Sequence, residues 1–287
     1  MNRDVCALIV SYNPDKDLIE SCKTLLNKVD KIIIVDNASS EEFSIKIIKE
    51  IEKYEEKIEV IYNRQNYGIA KALNIGFERI IELGYIWALT LDDDSIIDNN
   101  MVYNMLSIYN LINRDDIGII APRYIEKRYY NSIILCKDSK VEYEYVDFAI
   151  TSGNLVNVNI YVKIKGYDES LFIDYVDYDF CFKLLIKGYK ILKINSAIMI
   201  HSLGESKFVS IGKFKFAITN HDAFRRYYMT RNRIILWNRY NNIFYKWVKK
   251  DRLRFFNETI KIILFEKDKI SKLISIYKGI RDSNNKY

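Results

Sequence analysis

Cysteine, histidine and proline are all scarce in this chain of 287 residues, and the shortages narrow what it can be. The four cysteines, Cys6, Cys22, Cys136 and Cys181, lie far apart with no C-x-x-C pair, which argues against a zinc site or disulfide framework and for reduced, buried thiols. Two histidines, His201 and His221, leave little for a histidine-dependent nucleophilic triad, and there is no G-x-S-x-G elbow. Neither a Walker-type loop nor G-x-G-x-x-G occurs, so a phosphate-cradling loop and a dinucleotide turn both lack support. Hydrolases and dehydrogenases lose ground accordingly. No stretch of about twenty uncharged apolar residues is present, so no membrane-spanning helix is expected. The run from Val5 to Val10 is too short and wrongly flanked for a secretory signal, and the expected location is the cytoplasm. The two prolines and few alanines, against abundant lysine, isoleucine, asparagine and tyrosine, reflect codon bias more than chemistry.

What is present is ample apolar content, 49% of residues, enough for a sizeable core. The net charge of +6 is unevenly spread: residues 225–287 hold 17 Lys and Arg against 5 Asp and Glu, or +12, while the first 224 hold 27 against 33, or −6. An acidic partner surface is therefore expected for the C-terminal segment. The expected division is a main domain over 1–220 and a basic, amphipathic helical segment over 221–287.

"VCALIVSY" is a continuous apolar run of strand length that stops at Asn13-Pro14, a turn signal. Helical spacing follows in Leu18, Cys22, Leu25 and Leu26, then "KIIIVDNASS" as a second buried strand ending at Asp36. The alternation continues with a helix over 42–54, the strand "IEVIY", a helix over 68–83 and the strand "YIWALTL". Strands apolar on both faces that alternate with helices predict an α/β fold with a mostly parallel, doubly wound sheet. In such sheets ligands bind outside the carboxyl ends of the strands. The polar residues after each strand, Tyr12 and Asn13, Asp36 and Asn37, Asn63 to Asn66 and Asp92 to Asp94, therefore converge. Further on, 124–145 reads as a hairpin or irregular insertion, and "FAITSGNLVNV" as a strand interrupted by Ser152, Gly153 and Asn154, where low bulk would let a ligand approach the backbone.

Two carboxylate groups stand out. "LDDDS" places Asp92, Asp93 and Asp94 side by side, an expensive crowding that a hard cation such as Mg²⁺ or Mn²⁺ would offset. "FIDYVDYDF" holds Asp174, Asp177 and Asp179 ahead of a helix over about 178–187; part of that charge suits a helix N-terminus. If Asp177 faces the same cleft as Asp94, one carboxylate can hold a metal on a leaving diphosphate while the other takes a proton from an attacking hydroxyl. His201, after the strand "AIMI", would complete an oxygen-and-nitrogen set around the ion.

The segments "VSYNP", "IVDNASS", "NYGIAKALNIGF", "LTLDDDS", "TSGNLV", "GYDESLFIDYVDYDFCFKLLIKGYKI", "IHSLG" and "YYMTRNRIIL" occur in the order seen in family 2 glycosyltransferases, and the wording resembles the bacterial rhamnosyltransferase branch. The resemblance covers roughly residues 4–240. It implies a GT-A fold, Rossmann-like, with a C-terminal helical extension, and an inverting, metal-dependent transfer of a sugar from a nucleotide diphosphate to a hydroxyl. Carried over by motif, Tyr12, Asp36 and Asn37 would lie at the base, and Asn66, Gly68 and Lys71 would line the donor pocket. Asp92 would point to the ribose, with Asp93 beside it. Asp94 would hold the metal, with His201 near it and the diphosphate. Asp177 would be the base, and Arg231 would meet phosphate charge. Ser152, Gly153 and Asn154 would border the acceptor. Many relatives carry Glu before the base; here it is Val176, which leaves Asp174 as the rival.

The tail from Asn241 reads as one or two helices, with Ile263, Ile270, Leu273, Ile274, Tyr277 and Ile280 on one stripe and lysines elsewhere. Such a face either packs back on the domain or lies on an anionic membrane, and nucleic acid is not expected. The expected donor is dTDP-L-rhamnose and the acceptor a glycan or lipid-linked glycan at the inner face of the cell membrane. The alternatives are a UDP-sugar donor or a non-catalytic nucleotide-sugar or glycan-binding module.

Overall fold

The computed structural model describes residues 4–54, 56–126, 141–201, 207–211, 214–218 and 220–283. They group into two units, one of 1–169 with 176–202 and one of 170–175 with 203–287.

The first unit is built on a mixed sheet. Its strands are β1 (Val5–Ser11), β2 (Lys31–Asp36), β3 (Ile58–Tyr62), β4 (Trp87–Asp92), β5 (Ile96–Ile97), β6 (Ile117–Glu126), β7 (Tyr143–Val146), β8 (Asn154–Asn157) and β9 (Lys190–His201). The spatial order is β3-β2-β1-β4-β8-β6-β9-β5, with β7 also pairing with β9. β1 to β4, β6 and β9 run one way; β5, β7 and β8 run the other. The expected α/β class with a mostly parallel sheet is borne out. Every residue of β1 is buried, as a strand covered on both faces requires.

Register sets the future site. Ser11 pairs with Asp36, Val10 with Asp92 and Asp36 with Tyr62, so the polar residues after β1, β2, β3 and β4 leave the sheet at the same edge. Helices α1 (Asp17–Leu25), α2 (Glu42–Ile51) and α3 (Ile69–Leu83) return the chain between these strands. Each buries one stripe: Leu18, Cys22 and Leu25 in α1, and Ile47, Ile48 and Ile51 in α2. α3 lies so close to β1 that a Cβ on Gly76 would stand 2.1 Å from Leu8 Cδ1.

Several expectations need correction. The helix expected over 42–54 stops at Ile51 and tightens into a 3₁₀ turn over Glu52–Tyr54. "FAITSGNLVNV" is not one strand: β8 begins only at Asn154, and helix α5 (Val158–Lys163) starts two residues after Val156, capped by the Asn157 side chain on the Ile160 N–H. Helix α4 (Met101–Ile112) was not anticipated. α6 spans Val176–Ile186, two residues earlier at its start than expected. Most of the insertion expected over 124–145 falls outside the described residues, apart from the end of β6 and β7.

The second unit contains a hairpin, β10 (Lys207–Ile211) and β11 (Phe214–Ile218), and three helices, α7 (Ala223–Tyr240), α8 (Tyr245–Phe265) and α9 (Lys269–Asp282). α7 and α9 cross where a Cβ on Gly279 would meet the Tyr227 carbonyl at 2.7 Å. Charged groups fill much of the interior. Arg233 pairs with Asp251 and Glu258, each at 3.0 Å, and Asp251 also accepts from Trp237 Nε1 at 2.9 Å. Glu266 accepts from Arg226 at 2.7 Å and from Lys272 at 2.9 Å. Meanwhile most of the expected apolar stripe, Ile263, Ile270, Ile274, Tyr277 and Ile280, is exposed. Ile270 and Tyr277 are the most exposed, while Ile263, Ile274 and Ile280 are about half covered.

Candidate active site

β4 delivers the three aspartates. Its apolar run ends at half-buried Asp92, and Asp93 follows half-buried and Asp94 exposed. The turn is fastened from beneath: the Asp92 N–H donates to Ser95 Oγ at 3.1 Å and to Ser152 Oγ at 3.0 Å, and the two hydroxyls lie 2.7 Å apart. Burial, then the charges of Asp94 and Asp92, push the Asp93 carboxyl up to about 7, against the N–H that Tyr12 donates from the end of β1. Among the described residues no three His, Cys, Asp or Glu form a metal cage. A divalent ion on a diphosphate needs none, because such ions are commonly held by one or two carboxylates together with substrate phosphates. An exposed Asp94 beside two more carboxylates is a donor set of that kind.

At the end of β2, Asp36 is buried and accepts from Ser39 Oγ at 2.5 Å and from the Ser39 N–H at 3.3 Å. Asn37 bridges two strand ends: its amide donates to Asn66 Oδ1 at 2.9 Å, and its oxygen accepts from Asn63 Nδ2 and the Tyr67 N–H, both at 3.0 Å. Asn66 in turn accepts from the Gly68 N–H at 2.9 Å, shaping the entry to α3. Tyr12 is half-exposed above this edge. Lys71, one turn into α3, pairs with Glu169 at 2.7 Å, and that carboxylate raises the ammonium above its ordinary value.

Ser152, Gly153 and Asn154 all have structural partners. Ser152 supports Asp92, and Asn154 donates to the Ile150 carbonyl at 2.6 Å. Gly153 has φ +87°, and the space its side chain would take belongs to Met199 and Pro122. Tyr124, near the end of β6, donates toward the Ser152 carbonyl at 3.1 Å; burial first, then Cys181 and the Asp177 and Asp92 carboxylates, raise its phenol well above its ordinary value. Tyr124 and Ser95 were not singled out from the sequence. Ser95 lies beside a conspicuous triplet, but nothing local marks Tyr124.

Asp177 sits in the first turn of α6, with its Oδ1 accepting from the Tyr178 N–H at 2.8 Å. Asp179 is fully buried and pairs with Lys183 one turn on at 3.0 Å, a structural placement. His201 ends β9; Ile96 pairs with Ile200, so the next position along that antiparallel register is Ser95, and the His201 backbone adjoins the aspartate turn. The His201 side chain lies outside the described residues. In the second unit, Asp174 is gripped by Arg225 through Nη2 at 3.0 Å and Nε at 3.1 Å. There too Arg231 donates to the Ser170 carbonyl and stacks over Tyr228 at 4.9 Å, and Asn232 ties down the carbonyls of Leu171, Ile173 and Asp174.

The family model of Glycosyl transferase family 2 matches residues 6–159, the stretch from β1 to the start of α5. The chain belongs to that family. The dTDP-rhamnosyl transferase RfbF of Shigella flexneri is 31% identical over 250 residues, 82% of this chain and 80% of that one. Two solved structures share the fold. GalNAc-T7 with UDP, GalNAc and Mn²⁺ matches with a TM-score of 0.61 at 13% identity, over 85% of this chain and 50% of that one. TarS of S. aureus matches at 0.56 and 12%, over 99% of this chain and 49% of that one. The chain thus spans about half the length of both structures, and the likeness speaks for fold alone. The expected GT-A architecture and the resemblance to rhamnosyltransferases are borne out. As a family 2 glycosyltransferase, the chain transfers a sugar from a nucleotide-sugar donor to a glycan acceptor, releasing the nucleotide.

Proposed function

We propose that this glycosyltransferase moves L-rhamnose from dTDP-rhamnose to a hydroxyl of a surface-polysaccharide acceptor, with inversion, at the cytoplasmic face of the membrane. The observation that carries the donor is the near full-length similarity to the Shigella dTDP-rhamnosyl transferase. The carboxylates at the end of β4 and at the start of α6 support the chemistry.

In this reading Asp36 and Tyr12 meet the base, Asn37, Asn66, Gly68 and Lys71 shape the donor pocket, and Asp92 with Asp93 face the ribose side. Asp94 and His201 would hold Mg²⁺ or Mn²⁺, and the ion would supply positive charge against that developing on the departing diphosphate. Asp177 takes the proton from the acceptor hydroxyl as its oxygen bonds to the anomeric carbon and the carbon–oxygen bond to the diphosphate breaks. A single displacement inverts that carbon and needs no covalent nucleophile. Asp174 is the weaker base candidate because Arg225 already engages both of its oxygens. Arg231 contributes positive charge toward the phosphates, and Ser152 to Asn154 border the acceptor.

Calorimetric titration with dTDP-rhamnose and a panel of UDP-sugars, with and without Mn²⁺ or Mg²⁺, tests the donor. Metal-dependent binding of dTDP-rhamnose is expected; preference for a UDP-sugar would discard the rhamnose assignment and keep the fold. Asp177→Asn is expected to lower transfer by about 10²–10⁴-fold while leaving donor affinity near wild type. Asp94→Ala is expected to weaken metal-dependent donor binding. Equal loss of binding in both variants would sink this division of roles.

A further inference from the structure

The second unit buries charged side chains beside its apolar core and leaves large apolar ones exposed. Arg233 and Lys272 are each only 2% exposed, among the most buried large side chains of the chain, while Phe256 is 63% and Ile270 76% exposed. The exposed apolar residues are not scattered. On α8, Leu253, Phe256, Ile260 and Leu264 follow helical spacing along one side. On α9, Ile270, Ile274 and Tyr277 do the same. Lysines and arginines border them: Lys250, Arg254 and Lys261 line a cavity with Leu253, and Lys278 and Arg281 flank the stripe on α9. The joint between the helices is locked, since Glu266 binds both Arg226 and Lys272, and Lys272 also donates to Asn220 at 2.8 Å.

An exposed apolar face of this extent marks a surface that something else covers. Charge decides what. Residues 245–282, which span α8 and α9, hold 11 Lys and Arg against 5 Asp and Glu, or +6, so two copies meeting through this face would repel, whereas an anionic surface would attract it. We propose that the outer faces of α8 and α9 form a docking surface for an anionic lipid bilayer, with the apolar stripes entering the acyl boundary and the basic border meeting the headgroups. No helix among the described residues is long and apolar enough to cross a membrane, so the contact is peripheral. The inference rests on the proposed membrane-side role for its purpose, but the surface itself does not depend on the donor.

Sedimentation of the full chain with phosphatidylcholine vesicles, with and without phosphatidylglycerol, tests it. Binding to the phosphatidylglycerol vesicles alone is expected, weakening as salt is raised. Leu264→Glu with Ile274→Glu is expected to lower the partition coefficient at least about tenfold. Leu111→Glu, on an exposed position of α4, serves as control and should leave binding unchanged. No binding to anionic vesicles, or an equal loss in the control, would overturn the proposal. So would a dimer in lipid-free buffer that the same double substitution dissociates, since the face would then join two copies. Failure of dTDP-rhamnose to bind in calorimetry, with lipid binding intact, would overturn the donor assignment and support this surface as independent of it.

Discussion

In the sheet unit the deeply buried side chains are Leu8, Ile9, Ile32, Ile33 and Ile34; in the helical unit Arg233 and Lys272 are buried almost as deeply, beside Ile262, while Ile263, Ile270 and Ile274 are exposed. The first arrangement draws its stability from apolar burial, about 1.5–3 kcal/mol for each such side chain taken out of water. The second places paired charges where desolvation offsets much of their attraction. Buried ion pairs add little net stability but accept few geometries, so they fix how α7, α8 and α9 meet. Of the apolar residues of α8 and α9, Val248, Ile262 and Ile276 are buried with them, while Leu253, Phe256, Leu264, Ile270 and Tyr277 remain available for an outside surface.

The difference can be broken most decisively at Arg233. Arg233→Met leaves Asp251 buried without that partner and is expected to cost about 3–5 kcal/mol in urea unfolding. Adding Asp251→Leu should recover part of the loss, because an uncompensated charge is worse than an apolar replacement. A double variant as unstable as the single one would show that the pair stabilises as well as specifies. A matched pair of isoleucines sharpens the contrast: Ile34→Ala in β2 should cost about 2–5 kcal/mol, and Ile274→Ala in α9 no more than about 0.5 kcal/mol in lipid-free buffer. Similar losses would mean that Ile274 packs internally after all.

Within the sheet unit, Gly153→Ala is expected to cost about 1–3 kcal/mol, since its Cβ would meet Met199 Sδ at 2.3 Å and Pro122 Cγ at 2.9 Å. Wild-type stability would show that the loop shifts easily. A small effect is expected at Asp116, whose carboxyl is held down to about 2 chiefly by its hydrogen bond to Arg114, with Lys190 adding to it. Because the folded pKa lies below the unfolded one, this pairing stabilises above about pH 4 and is lost as pH falls toward about 2. Asp116→Asn should flatten the acid limb of stability by under about 1 kcal/mol, as the pair is partly exposed; a steeper acid limb in the variant would reverse the sign.

Much of the sheet unit was legible because its signals are local. The runs that became β1 to β4, and the helices between them, carry their length and period within a dozen residues. α4 was hidden: "MVYNMLSIYNLI" is apolar around most of its circumference, so its buried face, Met101, Val102, Met105 and Ile108, does not stand out from exposed Leu111. The hairpin β10–β11 was not anticipated although "KFVSIGKFKFAI" alternates around Gly212-Lys213, and the short α5 carried too few residues for a period. For the site, the strand-end rule was enough to collect Asp36, Asn37 and Asp92 to Asp94. The partners that hold them were not legible, because Ser95 and Ser152 meet across 57 positions of chain and Tyr124 reaches the same loop from another strand.

The sequence by itself determined the α/β alternation, the edge of the sheet where polar residues gather and the concentration of positive charge in the last helices. Each of these follows from the order and type of residues along the chain. Only the tertiary structure decided that Asp179 is a buried structural charge, that Arg225 occupies Asp174 and that the apolar stripe of the tail faces outward. Periodicity marks a face on a helix; whether that face meets a core or is left for an outside surface depends on what the rest of the chain brings against it. Here that place is taken by ion pairs together with Val248, Ile262 and Ile276.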